Sequence, residues 1–225
     1  MTRGLILAAG IGSRLGRDLP KALIPWEDGC IVDQQLANLA AAGIEDVTLV
    51  LGFEAGKVRD HVGARWPKVR FVENPEYLDT NTAKSMLVGL DGVDEDVVAL
   101  NGDVVFDAGV LELLLAREGS SIAVDPRVCG DEEVKYRVRD GRLVALSKQV
   151  HGEGEAVGIN RFVAADLNAL RTALAYVEDG AYFERAVEHL LPFASRPVEV
   201  VDIGDLRAIE IDFPEDLEAA HRLFP

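Results

Sequence analysis

Residues 5–21 read LILAAGIGSRLGRDLPK. An apolar run stops at small residues, Gly10 and Gly12 follow, and then come Ser13, Arg14, Arg17 and, after Pro20, Lys21. The two glycines let the backbone approach a ligand closely and expose its amides. Ser13 adds a hydroxyl, Arg14 and Lys21 add charge that can follow a polyphosphate, and Pro20 stiffens the approach to Lys21. Two common phosphate-binding patterns fail on spacing. The dinucleotide fingerprint needs GxGxxG, but Gly16 stands four residues after Gly12, and no Gly-Lys-Ser/Thr of a P-loop occurs. The plain alternative is a glycine-rich turn with solvated basic residues. A second signal is Asp103, which follows the apolar run VVALNG. An unpaired carboxylate there is poorly explained by packing and well explained as a Mg²⁺ ligand bridging to phosphate.

These residues need a frame, and the chain alternates as one would. Apolar β-like runs at 4–9, 46–52, 68–74, 96–106 and 121–125 are separated by helical patterns at 31–43, 54–63, 82–90 and 108–119. That order predicts an α/β protein with a mostly parallel sheet and helices on both faces. After residue 126 the pattern changes. Residues 134–148 alternate polar and apolar around Asp140-Gly141, a hairpin signal. A strand running into a helix is expected at 155–177, a helix at 182–191, a strand at 197–204 and a closing helix at 213–224. No Gly/Ser linker interrupts the 225 residues, so one domain with a mixed second half is expected.

Composition narrows the function. A net charge of −16 argues against a broad nucleic-acid surface and makes the basic loop a local exception. The apolar N-terminus is too short and too soon followed by cations for a membrane anchor or signal peptide, and reads as a buried first strand. Two cysteines, Cys30 and Cys129, without a CxxC or Cys/His cluster imply reduced thiols and a cytoplasmic location. The four histidines, at 61, 151, 189 and 221, show no cluster, and surface or cap roles are expected of each.

The segment LAAGIGSRLGRDLPKAL closely resembles the LAAGxGxRLxxxxPKxL motif of the nucleotidyltransferase superfamily related to sugar-1-phosphate nucleotidylyltransferases, which have a GT-A-like fold. VDQQLANLAAAGIEDVTLVLGFEAGKV, NGDVVF and EIDFPEDLEAA resemble, in order, later segments of the same enzymes, the last in small cytidylyltransferases of the phosphocholine, inositol-1-phosphate or phosphonate type. The resemblance implies a single-domain Rossmann-like three-layer sandwich with a β-hairpin insertion, residues 1–125 holding an NTP and 126–225 an acceptor. It implies that an acceptor oxygen attacks the α-phosphorus of the NTP and that pyrophosphate leaves. The turn Leu7, Ala8, Ala9, Gly10, Gly12 and Ser13 would wrap the triphosphate. Arg14 would hold the β and γ phosphates, and Lys21 would neutralise charge at the α phosphate or the attacking oxyanion. An anionic acceptor needs no general base, so no catalytic histidine is assigned. Asp103 and Asp212 would hold Mg²⁺, the plain alternative for Asp212 being a cap of the helix near Pro214. Glu210 and Asp107 are neighbours that could be confused with them.

Residues 81–87, NTAKSML, stand where related enzymes read the base. Asn81 and Ser85 could meet cytosine, which favours CTP; Ser85 could equally be a helix hydroxyl with no ligand, and Lys84 could face phosphate or solvent. In the second half Lys135, Lys148, Glu155 and Tyr182 are candidate acceptor contacts. The cations Lys135, Arg139 and Lys148 suit an anionic acceptor such as a phosphonate or inositol phosphate, or are exposed hairpin charges. The few aromatic residues there weaken a cage for a quaternary amine. Three readings follow. One is a cytidylyltransferase acting on a small phosphate or phosphonate; one is a nucleotidyltransferase using another NTP on a sugar-1-phosphate or molybdopterin-type acceptor; one is a catalytically inactive nucleotide-binding regulator. A monomer or homodimer is expected, with neither nucleic acid nor membrane as a partner.

Overall fold

A computed structural model describes residues 1–12, 19–127 and 133–224. The elements, in chain order, are β1 (Thr2–Ala8), β2 (Pro25–Trp26), β3 (Gly29–Cys30), α1 (Ile31–Ala41), β4 (Val47–Leu51), α2 (Ala55–Arg65), β5 (Arg70–Glu73), α3 (Thr82–Gly89), β6 (Asp96–Asn101), β7 (Val104–Phe106), α4 (Gly109–Leu115) and β8 (Ser121–Asp125). The second half adds β9 (Lys135–Arg139), β10 (Arg142–Ser147), β11 (Glu155–Phe162), α5 (Leu167–Tyr176), α6 (Phe183–Leu190), β12 (Glu199–Asp202), β13 (Ala208–Glu210) and α7 (Pro214–Leu223).

One nine-stranded sheet draws on both halves, in the order β10-β9-β11-β6-β1-β4-β5, with β8 pairing β11 and β12. Strands β6, β1, β4 and β5 are parallel, whereas β11 runs antiparallel to its neighbours. β1 therefore lies inside the sheet, and its side chains are buried on both faces. Ile6 and Ala8 pack with α1, α2 and α4, while Leu5 and Leu7 pack with α3, α5 and α6. Period-two alternation of its apolar residues 5–8 feeds two separate cores, which is the three-layer arrangement expected. The hairpin β9–β10 turns at Asp140 (φ 51°) and Gly141 (φ 74°), the two left-handed positions of a tight hairpin turn.

The buried strand expected within 96–106 is β6, and a second, short strand, β7, follows it. β6 ends at Asn101, and β7 leaves the main sheet to pair antiparallel with β13. The break falls at Gly102-Asp103, and it positions the site. Two elements went unread: the short β2–β3 pair and β13, both too brief for any periodicity to register. Among the described residues no helix is long and apolar enough to cross a membrane.

Candidate active site

The β7–β13 ladder pairs Val104 with Glu210, and the Ile211 amide donates to the Asp103 carbonyl at 2.9 Å. That register brings Asp103 and Asp212 together although they are far apart in sequence. Lys21 reaches the same point from the other side. Pro20 leads into a single tight turn, Lys21–Leu23, with Ala22 buried in the core beneath it. The Lys21 Nζ donates to Asp103 Oδ2 at 2.7 Å and to Asp212 Oδ1. Burial alone would lower the lysine pKa; the two carboxylates outweigh it and hold the ammonium above its ordinary value. Gly12 faces this side chain with φ +66°, and a Cβ there would lie 2.8 Å from Lys21 Cγ. Only glycine combines that backbone with that contact.

Asp212 is not the cap of α7. Phe213 holds the cap position, and Asp216 reaches back to accept from the Asp212 and Phe213 amides at 3.0 and 2.7 Å. The Asp212 carboxylate is thereby left to Lys21. Asp107 is bound in a two-pronged pair by Arg207, and no part of it lines the cavity. Glu210 does line it. Its Oε1 accepts from Asn101 Nδ2 at 2.6 Å, and burial, reinforced by Asp103, pushes its carboxyl well above the ordinary value. Gly158 (φ +69°) makes the room, because a Cβ there would meet Glu210 Oε1 and Asn101 Nδ2. Two carboxylates thus share one ammonium, the Glu210 carboxyl stands beside them on Asn101, and the buried Asn101 Oδ1 has no hydrogen-bond partner. An oxygen-only donor set with surplus negative charge fits a hard divalent cation such as Mg²⁺.

These groups stand in a cavity of about 520 Å³ lined by both halves of the chain. Of the residues singled out from sequence, Leu7, Ala8, Gly10, Gly12, Lys21, Asn81, Asp103, Lys148, Glu155, Tyr182 and Asp212 line it. Ala9 lies just behind, its carbonyl accepting from the Phe53 amide. Ser13 and Arg14 lie outside the described residues. Ser85 sits behind the wall; it is buried in α3 and accepts from Asn74 Nδ2 at 3.1 Å. Asn81 caps α3, its Oδ1 accepting from the Thr82 amide at 2.8 Å, so that half of its amide is already engaged. Lys135 turns its ammonium toward the Lys148 carbonyl rather than the cavity, and Arg139 is exposed on the hairpin.

Glu184 was missed as a site residue. It lies on the cavity-facing first turn of α6 and is only 5% exposed, and its Oε2 has no partner. Burial pushes its carboxyl up to about 7, against the opposing field of Lys148. Glu133 was missed too, with an orphaned Oε2 of its own. Beside it Glu155 is pushed up to about 7 by burial, Glu133 and Asp125. An acidic residue opening an amphipathic helix looks like an ordinary first-turn carboxylate, so sequence marks Glu184 only as a neighbour of Tyr182 and gives no sign of its burial.

The expectation that no histidine joins a cluster is also corrected. His61 Nε2 lies 2.8 Å from Asp33 Oδ2 and 3.2 Å from Cys30 Sγ. Asp33 Oδ2 also accepts from the Cys30 amide, Cys30 Sγ and Arg65, and its Oδ1 accepts from Trp66 Nε1. The partners come from β3, α1 and α2, which is why linear spacing concealed them. His221 stacks on Trp26 at 4.9 Å, and His189 meets the edge of Tyr176.

Known proteins share this architecture. The inositol-1-phosphate CTP transferase of T. maritima superposes with a TM-score of 0.84 at 21% identity, over 98% of this chain and 94% of that one. CMP-5'-(3-aminopropyl)phosphonate synthase of Streptomyces rubellomurinus is 32% identical over 97% of this chain and 38% of its own length. CTP:phosphoglutamine cytidylyltransferase of Campylobacter jejuni is 24% identical over 95% and 97%. The chain thus spans well under half of the first relative and nearly all of the second. The MobA-like NTP transferase domain matches residues 4–170, and the chain belongs to that nucleotidyltransferase family.

Proposed function

We propose that this chain is a Mg²⁺-dependent cytidylyltransferase that joins CMP from CTP to a small phosphonate or phosphate acceptor. The observation that carries the reading is the Lys21 ammonium held between Asp103 and Asp212 behind the glycine turn. An acceptor oxyanion attacks the α-phosphorus of CTP. The new O–P bond forms as the bridge to the β-phosphate breaks, and pyrophosphate leaves with the bonding electrons. The nucleophile is already ionised, so no residue has to remove a proton, and no histidine lines the described cavity. Lys21 stays protonated at any working pH, and its charge stands where negative charge builds on the α-phosphoryl oxygens. Asp103, Glu210 and Asp212 would hold Mg²⁺, which when bound supplies Lewis-acid polarisation of the phosphate. The Gly10–Gly12 turn lines the cavity and its amides would suit the triphosphate, and Arg14 is assigned to its outer phosphates by resemblance.

The choice of CTP rests on the relatives named for it. Asn81 keeps its Nδ2 near the cavity, donating weakly to the Gly180 carbonyl at 3.4 Å, and can still answer a base. The test is pyrophosphate release with Mg²⁺, each of the four NTPs and a panel of phosphonates, phosphorylated alcohols and sugar-1-phosphates. Release with CTP and a small phosphonate or phosphate is expected. Release with another NTP alone would remove the cytosine reading. Tight NTP binding without release from any pair would point to a nucleotide-binding regulator instead.

A further inference from the structure

The far wall of the cavity has the wrong sign for an acceptor that is anionic throughout. Glu133, Glu155 and Glu184 all line it, and among the described residues of that wall one cation, Lys148, stands against them. Two of the three carboxyls carry an oxygen with no hydrogen-bond partner, Glu133 Oε2 and Glu184 Oε2. Burying such an atom is costly unless something arrives to pair it. Lys148 does not form an ion pair with Glu184 within 4 Å; its Nζ lies 4.5 Å over the Tyr182 ring instead. Glu184 is also within the field of Asp103, so it is not remote from the reacting centre.

We propose that Glu184 is the centre of an ammonium subsite and that the acceptor is a short aminoalkyl phosphonate or phosphate. This rests on the cytidylyltransferase reading and narrows it. The acceptor's anionic end lies at Lys21, and its amine reaches the orphaned Glu184 oxygen, with the Glu133–Glu155 pair adding negative potential along the wall. A primary ammonium fits better than a quaternary one. It can donate hydrogen bonds to a carboxylate, whereas a trimethylammonium needs aromatic faces, and the Tyr182 face is already covered by Lys148.

The test compares 2-aminoethylphosphonate with propylphosphonate, in which a methyl group replaces the ammonium, and with phosphocholine. Pyrophosphate release is followed with CTP and Mg²⁺ for the wild type and Glu184→Gln. The wild type is expected to favour the amine over propylphosphonate by at least about tenfold in kcat/KM, with phosphocholine also poor. Glu184→Gln should cost the amine at least about tenfold more than it costs propylphosphonate, chiefly through KM, so that the preference collapses. Equal use of the two phosphonates by the wild type would overturn the subsite and leave the cytidylyltransferase reading standing. So would equal loss on both in Glu184→Gln. If circular dichroism shows that variant unfolded, the wild-type ratio and the intermediate variant Glu184→Asp decide. Failure of every phosphonate and phosphate with CTP would sink the underlying reading, and the subsite with it.

Discussion

Two clusters in this molecule are built from similar side chains and do different things. One gathers Lys21, Asp103, Glu210 and Asp212 at the cavity; the other gathers Cys30, Asp33, His61 and Arg65 at the start of α1. Around Asp33 both carboxylate oxygens are taken by donors, the Arg65 guanidinium balances the charge, and the Cys30 thiol is pushed up to about 12 by burial and Asp33. Those hydrogen bonds, chiefly from Cys30, His61 and Trp66, overcome burial and hold Asp33 down at about 2. The cavity cluster is the reverse: two carboxylates share one ammonium with a third carboxyl beside them, and Asn101 Oδ1 is left unpaired. A polar cluster that is complete without a ligand supports the fold. One that is buried, charged and incomplete is waiting for a partner.

The largest effects should separate the two. Lys21→Ala is expected to lower kcat by about 10²–10³ or more in a protein that still folds. Asp33→Ala should do the opposite. It leaves several donors without an acceptor and should cost about 2–4 kcal/mol in denaturant unfolding, with turnover of the folded enzyme preserved within about threefold. Activity lost through Asp33 and kept through Lys21 would exchange the two assignments.

Gly158→Ala should strike both properties. It forces a side chain into φ +69° and into the Glu210–Asn101 pair, and a loss of about 1–3 kcal/mol is expected together with weakened Mg²⁺ dependence of turnover. A variant with wild-type stability and activity would remove Glu210 from the site.

A smaller effect concerns pH. The folded carboxyl of Glu155 titrates near 7 against an ordinary 4.5. A raised acid is bound to its proton more tightly in the folded state, so stability falls as pH rises from about 4.5 to 7 and stays lower above it. Glu155→Gln should therefore raise stability at pH 8 by about 1–2 kcal/mol after allowing for partial solvation, and the gain should shrink toward pH 5. A gain independent of pH would contradict the cause given. Smallest of all, Cys30 should resist thiol reagents at pH 8 until the protein unfolds, since almost none of it is thiolate.

How much of this was legible beforehand depended on distance along the chain. β1 and the glycine turn are contiguous, and the apolar run with its glycines and Lys21 could be read directly. The alternation of strands and helices gave the layers for the same reason. Asp103 was legible because a carboxylate closing an apolar strand is conspicuous. Its pairing with Asp212 depends on the β7–β13 register, and three-residue strands carry no periodic signal. Asp33 was hidden, and Glu184 legible only as a neighbour of Tyr182, because an acid in the first turn of a helix needs no further explanation. Lys135 and Arg139 misled because alternation along a hairpin reports which side a residue faces, not which side faces the ligand. Of the two readings open for these cations, the exposed hairpin charge holds for Arg139, and the acceptor wall is largely acidic.

The most direct test is ³¹P NMR of the wild-type protein with CTP, Mg²⁺ and 2-aminoethylphosphonate. Attack on the α-phosphorus should give a mutually coupled phosphonate and phosphate pair from the new P–O–P link, with pyrophosphate in equal amount. CTP left intact, or cleaved to CMP and pyrophosphate while the phosphonate signal stays unchanged, would contradict transfer to this class of acceptor.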